Sequence, residues 1–596
     1  ALVDSADLAQ RTPLLSAVFS GREEMVRYLL EQGAVTDTAN IEGVTPIDAA
    51  AQSGNKTILD LLLAAGAALD HPNPMRTGRR PLHTVAETGH AEMIRHLVGL
   101  GAGIDGPDAR GETPLHVAVA AGKLDAVRAL LELGAATDTR SLSGEIPLQL
   151  AVARGHTSIV QALAEQGANI AFRAQDGRTP LHLAAEMGRP EVAGLLLKLG
   201  ASPEQADTAG ARPLHLAAKE GHLQAAETLL RAAAAVDAVD LAGLNPLMYA
   251  ARGGKHRVVE LLLKQGANLR HQDAAGENAL FHAARAGQFE VVRLLHTQGL
   301  DLMLRDATGN TALFAAAQTR NRFVTEWLLE MGLEVDATNA EGARPLHAAA
   351  RAGNVDVLNL LLRTGALVNR GTWRGRTPLH EAALSGNQLA VRRLLEAGAQ
   401  IEARDAQGRT PLHEAVFSQQ PLALAALIQA GATLEQADAS GATPLHLAAG
   451  RGLHEMTAIL LTAGASPSAL DLSGLTPLNL SASLKKQGIP AGEGTAVNAQ
   501  RNHALLVAAV TGQYRRAAIT GDTVLLQKLL DTAPELASSQ TLGRSPLYWA
   551  AAAGQLGCVQ GLLAHSANAS DALFPSSALE AAKSAGHAQV VAVLET

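Results

Sequence analysis

The sequence predicts an all-α solenoid made of antiparallel helix pairs joined by short turns or hairpin fingers. Three observations carry that prediction: a fixed period, helix punctuation that recurs inside each period, and a core of small and aliphatic residues. The period comes first. Tetrads resembling Thr-Pro-Leu-His begin at Thr12, Thr45, Arg80, Thr113, Ile146, Thr179, Arg212, Asn245, Asn278, Thr311, Arg344, Thr377, Thr410, Thr443 and Thr476. We number the repeats one to fifteen from these positions. From Arg80 to Thr476 the spacing is constant, each tetrad standing thirty-three positions after the one before. Arg80 itself stands thirty-five positions after Thr45, with extra residues near His71-Pro72-Asn73-Pro74. A period of this length marks stacked supersecondary units rather than independent domains. The 596 residues therefore do not resolve into the roughly four ordinary domains that length alone suggests.

The punctuation reads well in repeat four. Thr113 can cap a helix, and Pro114 suits its first position because a missing N–H costs nothing there. Leu115, Val117 and Ala118 face inward, and Gly122 can adopt the left-handed conformation that ends the helix. A second helix carries Val127, Leu130 and Leu131 at helical spacing and stops at Gly134-Ala135. A turn of the Asp108-Ala109-Arg110-Gly111 type leads into each unit. Composition agrees: 47% of residues are hydrophobic but only 3% aromatic, so the core is built from Ala and aliphatic side chains.

Thr179-Pro180-Leu181-His182-Leu183-Ala184-Ala185 and Thr443-Pro444-Leu445-His446-Leu447-Ala448-Ala449 carry the fullest form of the motif. With the following L-L-x-x-G-A segments they resemble ankyrin repeats. The resemblance covers nearly the whole chain and implies about 18 repeats stacked as a curved superhelix with one concave face. It also implies that the tetrad histidines, His83, His116, His182, His215, His347, His380, His413 and His446, are structural and bond across the turn.

Several units depart from the pattern. Asn278-Ala279-Leu280-Phe281 and Thr311-Ala312-Leu313-Phe314 lose both Pro and His. Arg320, Gln419 and Lys485 stand where the helix-ending Gly is expected, which is costly only if the left-handed conformation is kept. After Thr476 the period breaks. Gly488, Pro490, Gly492 and Gly494 do not suit a helix interior, so 485–502 is expected to be an inserted loop. It separates repeats one to fifteen (1–484, the last incomplete) from divergent C-terminal repeats and a cap (503–596). The helical pattern from His503 to Ala509 either begins a shortened unit or replaces the missing second helix. Gly521 lies one full period before Gly554, which leaves room for a degenerate unit, and a last unit starts near Ser577.

No catalytic or metal constellation emerges. Gly101-Ala102-Gly103-Ile104-Asp105-Gly106 has the spacing of a dinucleotide loop, but it follows a helix and sits at a repeat joint. His380-Glu381, His413-Glu414 and His454-Glu455 resemble the start of a zinc-protease helix, yet Leu384, Phe417 and Ala458 occupy the partner-histidine positions. The remaining histidines show no ligand spacing. The single cysteine, Cys558, cannot form an internal disulfide, and its place in a second-helix pattern points to burial. The chain is therefore expected to be non-enzymatic, with no cofactor and no metal.

Net charge is −8, from 49 basic and 57 acidic residues, which argues against general nucleic-acid binding. No apolar run approaches 18 residues, so membrane insertion is not expected. Ten Lys against 39 Arg, with abundant Ala and Gly, suggests a GC-rich coding sequence such as a bacterial one. A cytoplasmic location is favoured, with export or the periplasm as the alternative, and a monomer is expected.

The resemblance implies a scaffold that binds partner proteins with its turn tips and the exposed face of each first helix. At those positions one region stands out. Trp373, Arg374 and Arg376 lie at the turn tip of repeat twelve, joined by Arg351, Leu384, Ser385, Arg409 and Phe417. From Arg351 to Arg393 seven Arg face only Asp356 and Glu381, a local charge of +5 that suits an acidic partner segment. Trp and Arg are enriched at binding hot spots. The competing reading is that Trp373 lies flat on a neighbouring turn and the arginines form a solvated face. Weaker candidates are Arg178, Glu186 and Met187 near Arg173, and Phe19. Trp327 and Trp549 read as packing residues. An exported effector addressing another cell, or an elastic spacer, are the alternative functions.

Overall fold

The computed structural model describes residues 3–70, 72–73, 77–319, 321–486, 493–542, 544–565 and 578–595. Among them secondary structure is helical; extended pairing is limited to isolated bridges such as Asn73 with Arg79 and Arg305 with Thr311. The chain divides into two compact units, Ala1–Leu300 and Asp301–Thr596.

Each regular repeat is a pair of short helices. In repeat four they are Pro114–Ala120 and Leu124–Glu132. Gly122 joins them at φ +70°, the left-handed region that favours glycine. Leu115, Ala118, Val127 and Leu130 are fully buried. First helices pack on first helices and second on second in successive repeats, so each repeat buries its apolar stripe against its neighbours.

The tetrad histidine closes two joints at once. In repeat four the His116 Nδ1 accepts the Thr113 backbone N–H at 3.1 Å. Its Nε2 therefore carries the proton and donates to the Glu145 carbonyl of the next repeat at 3.2 Å. His83, His182 and His215 repeat this in the first unit, and His347, His380, His413 and His446 in the second. Repeat five uses Gln149, whose Oε1 accepts the Ile146 N–H at 3.1 Å.

Of the three non-glycine helix ends, Gln419 keeps the left-handed conformation at φ +56°. Lys485 does not end a helix, because Pro477–Lys486 runs through it. Arg320 lies outside the described residues.

The stretch expected to be a loop, 485–502, is helical at both its ends. Lys485 and Lys486 close one helix, and Glu493–Thr520 forms a single helix of 28 residues. Residues 487–492 lie outside the described residues. The long helix packs against His454–Thr462, the second helix of repeat fourteen, and against Pro546–Ala552, a first helix further along. Asn502 donates to the Ala449 carbonyl at 3.2 Å, and the buried Tyr514 hydroxyl donates to the Ala533 carbonyl at 2.9 Å. One helix thus serves as the second helix of repeat fifteen and continues as the first helix of the next unit. Residues 485–502 fall within the second compact unit. Thr523–Thr532 then supplies the partner helix, and Gly521 turns the chain at φ +73°.

Candidate functional site

The site is assembled by repeats ten to twelve, all within the second unit. Their first helices are Ala312–Ala317, Pro345–Ala352 and Pro378–Ser385. Each is preceded by a turn, and in repeats eleven and twelve the turn tip hydrogen-bonds to the tip before it. The Ala340 N–H donates to the Thr308 carbonyl, and the Trp373 N–H to the Glu341 carbonyl, both at 2.9 Å. Turn tips on one side and first helices on the other enclose a groove of about 1160 Å³.

Five of the eight residues singled out in the sequence line this groove: Arg351, Trp373, Arg374, Arg376 and Leu384. Ser385, Arg409 and Phe417 do not. The Ser385 hydroxyl donates to the Ala382 carbonyl at 3.1 Å, which ties it to its own helix. Phe417 lies one repeat further on, 37% exposed, between two guanidinium groups: Arg409 at 4.7 Å and Arg451 at 4.1 Å from the ring centre. Such cation–π contacts stiffen a surface aromatic. Arg451 had given no signal in the sequence, because its position follows from the stacking of repeat fourteen on thirteen.

Trp373 lies flat on a neighbouring turn. Its ring lies over the preceding turn, where a Cβ added to Gly342 would meet the ring at 2.7 Å. Its indole N–H donates to the Ala340 carbonyl at 3.0 Å. Nevertheless Trp373 remains 72% exposed. The indole of this exposed turn-tip residue is thus held against the preceding turn.

Two of the seven arginines share one carboxylate of the same stretch. Glu381 is buried and receives Arg351 at 2.8 Å and Arg376 at 2.9 Å on its two oxygens. Burial pushes its pKa up, but the hydrogen bonds and charge of Arg376, then of Arg351, more than offset this and hold it below the usual value, since a nearby opposite charge favours the ionised form. Arg376 also reaches the buried Glu414 at 3.1 Å. Arg376 is therefore a clamp between two repeats rather than a free cation. Arg374 has no ion-pair partner among the described residues.

Of the secondary candidates, the charged ones are engaged within the fold. Arg178 forms a two-pronged pair with Glu186, at 3.0 and 2.8 Å, and Arg173 donates to the Ala206 carbonyl at 2.9 Å. Met187 is 44% and Phe19 48% exposed. Trp327 and Trp549 are half-buried. Cys558 is fully buried, and burial raises its thiol pKa.

One cluster escaped the spacing argument. Asp273, Glu277 and His282 place ligand-type atoms within 4.8 Å of one another. The His282 Nε2 pairs with Asp273 at 2.8 Å, while Arg285 pairs with both Glu277 oxygens. One repeat earlier, the Tyr249 hydroxyl donates to Asp240 at 2.8 Å from the same two positions. The cluster thus repeats a local bracing pair that carries no metal chemistry in its other form.

Comparison with known proteins follows the repeat. The family model described as "Ankyrin repeats (3 copies)" matches residues 2–73, 49–141, 134–207, 214–306, 298–372 and 367–438. The model described as "Ankyrin repeat" matches 440–472 and 542–572. No curated protein matches the chain. Among solved structures, the human ASB11 ankyrin repeat domain is 28% identical over a stretch covering 37% of this chain and 99% of that one, with a TM-score of 0.35. Among the described residues no helix is long and apolar enough to cross a membrane.

Proposed function

This chain belongs to the ankyrin-repeat family, and we propose that it is a non-enzymatic scaffold that binds partner protein through the groove of repeats ten to twelve. Repeats of this family generally mediate protein–protein interaction, and fold alone does not name the partner. The observation that carries the reading is Trp373. Its indole is held by its own N–H and by contact with the preceding turn, yet most of the side chain stays in solvent. An aromatic fixed in this way loses little freedom on binding. Arg374, without a counter-ion among the described residues, supports contact with an acidic group on the partner.

The test is affinity capture with mass spectrometry, comparing the wild-type chain with a Trp373→Ala, Arg374→Glu variant. Arg376 is left intact because its substitution would disturb Glu381 and Glu414. Proteins captured by the wild type and lost by the variant support the site. Proteins captured equally by both move the site away from this groove.

A further inference from the structure

We propose that this groove takes an extended segment of a partner protein in which one large apolar side chain fills a notch over repeat eleven and a neighbouring carboxylate pairs with Arg374. The inference rests on the reading of the groove as a binding site and adds the chemistry of its occupant.

The notch arises because three of the positions by which repeat eleven lines the groove, beside Glu341 and Arg351, are alanine. Ala343, Ala348 and Ala352 stand where repeat twelve has Arg376, Glu381 and Ser385. The walls on either side are aromatic. Phe314, half-buried, replaces the tetrad histidine of repeat ten, and Trp373 closes the other side. At about 1160 Å³ the groove is larger than the roughly 300–1,000 Å³ of a small-molecule pocket. It suits a chain segment better than a metabolite.

Loss of the histidine also frees a backbone acceptor. In repeat twelve the Arg376 carbonyl accepts both the Thr372 N–H at 2.8 Å and the His347 Nε2–H at 3.0 Å. The equivalent Ala343 carbonyl accepts the Asn339 N–H at 2.9 Å, and a phenylalanine stands where the second donor would be.

The charge pattern asks for one carboxylate rather than an acidic run. Arg351 and Arg376 are both engaged by Glu381. Among the charged groups lining the groove, Arg374 and Glu341 are left without ion pairs among the described residues. Arg374 attracts a single carboxylate, and Glu341 disfavours a second one further along.

The experiment is peptide display selection on the full chain, followed by fluorescence-polarisation affinities of the selected peptides. Three chain variants are compared: Trp373→Ala, Arg374→Glu, and the pair Ala348→Leu with Ala352→Met. The last pair copies Leu183 and Met187, which repeat six carries at the same positions, so the fold tolerates those side chains there. The expected result is a shared apolar residue next to Asp or Glu in the peptides. Binding should fall at least about tenfold on filling the notch. Exchanging the peptide's acid for Lys should weaken binding to the wild type and restore it to Arg374→Glu. Circular dichroism melts establish that each variant is folded, and the charge exchange decides the matter if the filled variant is not. Peptides lost with Trp373→Ala but indifferent to filling and to charge exchange overturn this chemistry while leaving the groove as the site. A selection that yields no peptide sensitive to Trp373→Ala overturns both.

Discussion

Acidification should loosen the joints between repeats, and His347 allows the size of the effect to be worked out. Its Nδ1 accepts the Arg344 N–H at 3.2 Å and its Nε2–H donates to the Arg376 carbonyl at 3.0 Å. A second proton on Nδ1 would point at an N–H donor, so the bonded geometry requires the neutral ring. Burial, outweighing the Arg376 carbonyl and the Glu381 charge, brings the pKa down to about 4, and Arg344 and His380 act in the same direction. The unfolded chain keeps the ordinary value near about 6.5. The folded value is depressed, so the unfolded state takes up the proton first as pH falls. The contribution is fully present above about pH 6.5 and is lost between there and about pH 4. At roughly 1.4 kcal/mol per pH unit, His347 alone costs about 2 kcal/mol at pH 5 and about 3 kcal/mol below pH 4. Burial lowers the other seven tetrad histidines in the same direction. The assay is native-state hydrogen exchange across Pro345–Ala352 at pH 7 and 5, with intrinsic exchange rates corrected for pH. His347→Gln is the control, since Gln149 already caps repeat five without titrating. The wild-type opening free energy should fall by about 2 kcal/mol more than that of the variant. Equal losses in the two chains would refute the reasoning.

Two further perturbations probe the frame around the groove. Glu381→Ala removes the carboxylate shared by Arg351 and Arg376, while Arg376 keeps Glu414. We expect a loss of roughly 2–3 kcal/mol in urea unfolding. Gln419→Gly relieves a side chain held in the left-handed region at the end of Pro411–Phe417. It should stabilise repeat thirteen by about 0.5–1 kcal/mol, read as slower exchange in that helix.

The sequence by itself determined the repeat, its helix pairs and most of its caps. These features depend on residues close along the chain: Thr113 beside Pro114, Gly122 between two apolar patterns, a histidine three places after its cap. Their regular recurrence made each legible many times over. The groove-lining positions were legible too, because the repeat leaves them free, and Trp373, Arg374 and Leu384 did fall together. Other features were decided only in three dimensions. Arg351 and Arg376 looked like free cations until folding brought them to the two oxygens of a buried Glu381, an arrangement invisible to a count of charges. Residues 493–502 looked like loop because Gly494 and its neighbours weaken a helix locally. Packing against repeat fourteen on one side and the following unit on the other outweighs that local cost and fuses two helices into one. The notch over Ala348 and Ala352 likewise has no signature in any single repeat, since it is a gap defined by the aromatic walls of the repeats on either side.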